Sequence, residues 1–161
     1  MRPEANAFAM RQGLTLGCMF AVNFIASTIP SITFISWIVE IAILVYAYRS
    51  GVKCREEIMD GEMSYGAGLW FTIQLFLYSS MVAGVIRYVY LKWFNTKYLV
   101  ELGSAMNEVM GELKMMTDVT PDMVREMLTP ENMVIYYVAG DVMLGVMVGL
   151  VMAFALKRTK E

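Results

Sequence analysis

MVIYYVAGDVMLGVMVGLVMAFAL, residues 133–156, is an apolar run interrupted by a single charged residue, Asp141. About 20 apolar residues suffice to cross the hydrocarbon core of a bilayer as a helix, so the stretch reads as a transmembrane span. A second run, SITFISWIVEIAILVYAY at 31–48, is broken only by Glu40. Further apolar runs lie at about 13–30 and 66–91, and the last span is taken as about 132–156. Backbone polar groups in lipid are satisfied only in helices or closed barrels, and none of these runs shows the period-2 alternation of a barrel strand. The predicted fold class is an all-α membrane protein with four transmembrane helices and a helical extracytoplasmic insertion between the third and fourth. The whole chain, 1–161, is read as one integral membrane domain. The first two spans share a tight turn at Pro30 and Ser31, a helical hairpin.

Composition agrees. The 161 residues are 58% hydrophobic and only 17% charged, against about 25% charge in soluble domains. Net charge is −2, and no basic run with interleaved aromatics points to nucleic acid. Histidine is absent, which removes the usual general base and the commonest transition-metal ligand. Cys18, in the first span, and Cys54, in a charged segment, make no disulfide framework. Sixteen methionines could form a soft-metal path, but without Cys or His at ligand spacing they read as gap-fillers in a bundle. There is no Walker loop or nucleophile elbow. Gly140-Asp141 matches part of the aspartyl intramembrane protease signature, but those enzymes need two catalytic aspartates, and Glu40 would be an odd substitute. The chain is therefore expected to be non-enzymatic, with no metal and no cofactor.

Basic residues set the expected orientation. Arg2 and Arg11 precede the first span, Arg49, Lys53 and Arg55 follow the second, and Lys157, Arg158 and Lys160 follow the fourth. The turn between spans one and two has none, so both termini and the 49–65 loop are expected in the cytoplasm of a bacterial inner membrane. A cleaved signal peptide is the competing reading of the N-terminus. Asn23 within the apolar core, and the lack of a small-x-small site before Pro30, weigh against it. The 49–65 loop, with its Asp60-Gly61 turn signal, reads as a solvated connection.

The insertion, about 95–130, then lies outside. Tyr98, Leu99, Leu102, Met106, Val109, Met110, Leu113 and Met116 recur at helical spacing with acids on the opposite face. Thr120-Pro121-Asp122 and Thr129-Pro130-Glu131 each look like a helix start: hydroxyl cap, first-position proline, first-turn acid. A long amphipathic helix, a short one at about 121–128 and a cap into span four are expected. The helices either lie on the bundle or the headgroups, or offer a docking face to a partner.

An ionised side chain near a bilayer centre costs at least about 2.5–3.5 kcal/mol on insertion scales, so intramembrane charges are rarely accidental. Glu40, Asp141 and Arg87 fall at compatible depths, with Asn23 in the same half of span one, giving each helix one polar group. Asp141, Gly145, Gly149 and Ala153 share one helix face, a small-residue seam that favours close packing, and Gly13, Gly17 and Ala21 repeat it in span one. Three readings of the cluster stay open. Arg87 neutralises the acids and only fixes packing; or one acid is left for protons, a cation or an amine; or it pairs with a partner's membrane helix.

The stretch Asp60-Gly61-Glu62-Met63-Ser64-Tyr65-Gly66, the aromatic Trp93-Phe94-Asn95, the Met127-Leu128-Thr129-Pro130 segment and the glycine-rich last span ending in Lys157-Arg158 resemble the domain-of-unknown-function 4199 family. That resemblance implies a small four-span bacterial inner-membrane protein, common in Bacteroidota, with no catalytic or binding residue to carry over. The leading functional expectation is a non-enzymatic membrane subunit or scaffold in the lipid bilayer. It would contact a membrane-protein partner, or further copies of itself, through its outer helices and glycine-lined faces. The alternative is a small proton- or cation-linked carrier using Glu40 and Asp141.

Overall fold

In a computed structural model that describes residues 3–112 and 121–158, helix α1 spans Pro3–Ser27, α2 Thr33–Glu57 and α3 Tyr65–Val89. Helix α4 spans Thr96–Glu112, α5 Pro121–Met127 and α6 Pro130–Leu156. There is no strand among the described residues, and α1, α2, α3 and α6 are each long and apolar enough to cross a membrane. The chain is a multi-pass membrane protein, with a helical insertion, α4 and α5, between its third and fourth spans.

Local chemistry sets the helix ends. A 3-10 turn at Pro30–Ile32 reverses the chain between α1 and α2, where the sequence places its hairpin turn. Asp60 and Gly61 both take left-handed backbone, with φ of 57° and 81°, and turn the chain toward α3. Ser64 caps α3 by accepting the Ala67 amide at 3.2 Å, and Thr129 caps α6 by accepting that of Asn132 at 3.4 Å, with Pro130 opening the helix. Thr120, the other predicted cap, and the apolar positions Leu113 and Met116 lie outside the described residues.

Two helices outrun their apolar windows. Helix α1 begins at Pro3 rather than near 13, because Ala5 and Ala9 are fully buried and Phe8 stacks on Phe71 of α3. Helix α2 continues to Glu57, so much of the segment read as a solvated connection is helical. Ser50, Gly51 and Cys54 are buried there, and Gly51 packs on Leu156 of α6. A two-residue antiparallel bridge between Met63 and Arg158, closed by two 2.9 Å backbone hydrogen bonds, ties the α2–α3 turn to the end of α6.

Helix α3 is the centre, with α1 on one side and α6 on the other, while α2 packs mainly on α1. Lipid tails are as apolar as leucine, so close van der Waals contact, rather than hydrophobic exclusion, must hold these helices together. The glycines allow it. A methyl group on Gly17 would come within 2.7 Å of the Ser79 carbonyl oxygen, and one on Gly145 within 2.4 Å of Phe76 Cβ. Gly13 sits as tightly on Tyr78, Gly149 faces Leu69 and Thr72, and Ala153 lies against Gly68. Five of the six small residues of the two predicted seams, all but Ala21, thus meet α3 residues inside the same chain.

A second apolar cluster forms where α1 and α3 reach the insertion. Leu99 of α4 and Val124 and Leu128 of the α5 region pack with Phe24, Leu91 and Met133. Tyr90–Phe94 forms a π-helical turn that redirects the chain from α3 toward α4. Leu99, Leu102 and Met106 of the amphipathic face therefore lie on the end of the bundle, while Val109 of the same face is exposed.

Gly140 gives an internal control for this packing, because nothing stands within 4 Å of a methyl group placed there. Gly145→Ala should lower stability by about 1–3 kcal/mol through overpacking against Phe76. Gly140→Ala should be neutral or slightly stabilising. Thermal unfolding of the two variants in the same detergent checks both.

Candidate functional site

The seam that carries Gly145 and Gly149 also turns Asp141 toward α3, since residues four apart share a helix face. Antiparallel register sets Thr72 opposite Gly149 and Phe76 opposite Gly145, which brings Asp141 toward the half of α3 that carries Arg87. Arg87 is almost wholly buried, its side chain 4% exposed, and its length closes the remaining gap. Its two terminal nitrogens donate to the two Asp141 oxygens, at 2.5 Å to Oδ2 and 3.5 Å to Oδ1. Three rings surround the guanidinium: Phe20 at 6.0 Å, Phe24 at 5.5 Å and Tyr137 at 5.2 Å from Cζ to ring centroid. Charge pairing and cation–π attraction together offset the desolvation of Arg87.

Glu40 has no such partner. It is exposed on α2 and makes no ion pair with any described residue. Yet it lines the same cavity as the pair, a space of about 300 Å³ bounded by α1, α2, α3 and α6. Asn23 lines it too, and its Oδ1 is buried without a hydrogen-bond partner among the described residues, as is Arg87 Nε. All four polar residues singled out from the sequence, Asn23, Glu40, Arg87 and Asp141, therefore border one cavity. Only Arg87 and Asp141 touch.

Sequence reading missed the rings and Ser27. The signal was present as spacing: Phe20, Asn23, Phe24 and Ser27 recur at i, i+3, i+4 and i+7, and Tyr137, Asp141, Leu144 and Val148 follow the same helical pattern. Each polar residue marks a face, and its neighbours on that face complete the cavity wall.

With Arg87 and both acids ionised, the wall carries one surplus negative charge. No group of three His, Cys, Asp or Glu side chains among the described residues is placed to hold a metal ion. The arrangement suits reversible binding of a positive group: an unpaired carboxylate, an amide oxygen buried without a partner and a fixed ion pair beside them.

The model of the family described as "Protein of unknown function (DUF4199)" matches residues 10–158. The chain belongs to this family. The match takes in every cavity-lining residue and the insertion, so the pocket of this DUF4199 member is built wholly from the family region. No curated protein and no solved structure matches the chain.

The pair makes Asp141 a poor choice for an innocuous substitution. Asp141→Ala leaves Arg87 buried without a counter-charge and should cost about 3–5 kcal/mol. Arg87→Met combined with Asp141→Leu removes both charges and should cost clearly less than Asp141→Ala alone. A double-mutant cycle read by thermal unfolding in detergent measures the difference.

Proposed function

We propose that the chain is a non-enzymatic integral membrane protein that works as a small proton- or cation-linked carrier through the cavity between its four spans. One observation carries the reading: of two intramembrane acids on one cavity, Asp141 is neutralised by Arg87 and Glu40 is not. Unpaired charges within spans characteristically mark ion or substrate pathways. The placement of the small residues adds support, since the seams that could have served a scaffold are used within the chain. Part of the insertion's apolar face, at Leu99, Leu102 and Met106, is likewise packed on the bundle. Basic residues flanking the spans support a cytoplasmic, or bacterial inner, membrane with both termini inside.

A membrane-subunit role is the second reading, and α2 favours it. Phe34, Trp37, Ile38 and Ile41 are exposed along that helix beside Glu40, a face open to lipid or to the membrane helix of another protein or copy. Affinity purification from native membranes separates the readings: a defined stoichiometric partner lost on changing Trp37 and Ile41 to alanine supports a subunit.

Carriage is tested with the full chain in proteoliposomes holding an entrapped pH-sensitive dye. Dissipation of an imposed pH gradient, with Na⁺, K⁺ or ethanolamine as counter-cation, should exceed that of protein-free liposomes and fall about tenfold or more in Glu40→Gln. Glu40 is exposed and makes no ion pair with a described residue, so the variant should melt with the wild type. A wild-type rate equal to that of protein-free liposomes with every counter-cation overturns carriage.

A further inference from the structure

We propose that the four-span cavity binds a primary ammonium group, with Glu40 as its counter-ion and Asn23 Oδ1 as a hydrogen-bond acceptor. The proposal rests on the cation-binding reading above and names the class of cation.

The surplus charge on the wall is negative, so the ligand's charge is positive. Its type follows from which groups are already engaged. The rings of Phe20, Phe24 and Tyr137 face the Arg87 guanidinium, which leaves a quaternary ammonium without the open aromatic cage it needs. A hard metal cation needs about six oxygen ligands, and the described residues offer no group of three acids here. A primary ammonium needs three acceptors, because it carries three N–H donors. The wall supplies them: the Glu40 carboxylate, the unpartnered Asn23 Oδ1, and Ser27 Oγ, whose own proton goes to the Phe24 carbonyl at 2.7 Å and leaves its lone pairs open.

Arg87 adds a second requirement. Its side chain is 4% exposed and borders the cavity, and its Nε–H is buried without an acceptor. An oxygen on the ligand, close to the ammonium, satisfies that donor. An amino alcohol, or an ethanolamine headgroup, carries an ammonium and an oxygen two carbons apart. At about 300 Å³ the cavity is of ligand-site size and larger than an ammonium group alone requires. Glu40 lies at the exposed side of the cavity, beside exposed Trp37, Ile41 and Leu44 on α2. The group can therefore arrive either as a soluble amine or on a lipid.

Calorimetric titration of the full chain in phosphatidylcholine nanodiscs with ethanolamine tests the site, with choline as the quaternary control. Native mass spectrometry after exposure to mixed lipid tests the headgroup source. The ammonium should bind the wild type about ten- to hundredfold more tightly than choline does, and about ten- to hundredfold more tightly than it binds Glu40→Gln, with Glu40→Asp between. Ethanolamine bound equally in nanodiscs with and without phosphatidylethanolamine assigns the site to soluble amines. Competition by phosphatidylethanolamine, or its retention over phosphatidylcholine by wild type but not by Glu40→Gln, assigns it to the headgroup. Equal affinity for choline, affinity unchanged in Glu40→Gln, or neither ethanolamine binding nor lipid retention overturns the proposal. Amine binding without flux in the dye assay keeps the site and removes carriage. Flux without amine binding does the reverse.

Discussion

Arg87 is a full charge held inside a membrane span, and such a charge is tolerable only with a counter-charge and a shaped surround. Both come from other helices. Asp141 arrives on α6, Phe20 and Phe24 on α1, and Tyr137 on α6. That supply is possible only because α3, which carries Arg87, is the helix flanked on both sides. The central position of α3 and the burial of its arginine are two aspects of one constraint.

Small residues decide how close the helices come, and therefore where the cavity opens. Along α6, Ala153, Gly149 and Gly145 lie against α3, but nothing stands within 4 Å of a methyl group at Gly140. Gly140 lies off that face, and past Asp141 the seam continues, a methyl group on Gly84 coming within 2.9 Å of Val138. Near the chain ends, α2 also meets α6 at Gly51 and Leu156, where Arg55 reaches the Leu156 carbonyl at 3.3 Å. Helices α3 and α6 thus pack closely on both sides of Asp141, and the cavity opens beside that seam, toward α1 and α2. The polar groups collect on that cavity, where the four helices leave room for side chains that need partners or water.

The spans, the hairpin turn, the caps at Thr129-Pro130 and the amphipathic insertion were legible because each rests on local chemistry: hydropathy, a fixed φ, a hydroxyl acceptor, a 3.6-residue period. The clustering of Asn23, Glu40, Arg87 and Asp141 was legible at the level of depth, since rise per residue converts position in a span to height. Which acid Arg87 meets was not. Depth leaves the rotation of each helix free, and rotation is set by contacts such as Gly145 on Phe76 that join residues far apart in sequence. The extension of α1 back to Pro3 was missed for the same reason. Residues 3–12 are too polar to read as a span, and only the packing of Ala5, Phe8 and Ala9 shows why they stay helical against the bundle.

The two acids differ through the helices that carry them. Asp141 belongs to a helix pinned along its length by small residues, so its pairing with Arg87 is part of the frame, and neither partner is free to exchange. Glu40 belongs to α2, whose most apolar window is 11% buried within the chain, against 44% for α3. Segments with few buried contacts open at lower free energy than the elements they border. The unpaired carboxylate is therefore carried by the span least tied to the rest, facing a frame whose own charge is already balanced. Under the proposed carrier function, such a division would let Glu40 exchange its counter-ion without disturbing the pair that holds the bundle together.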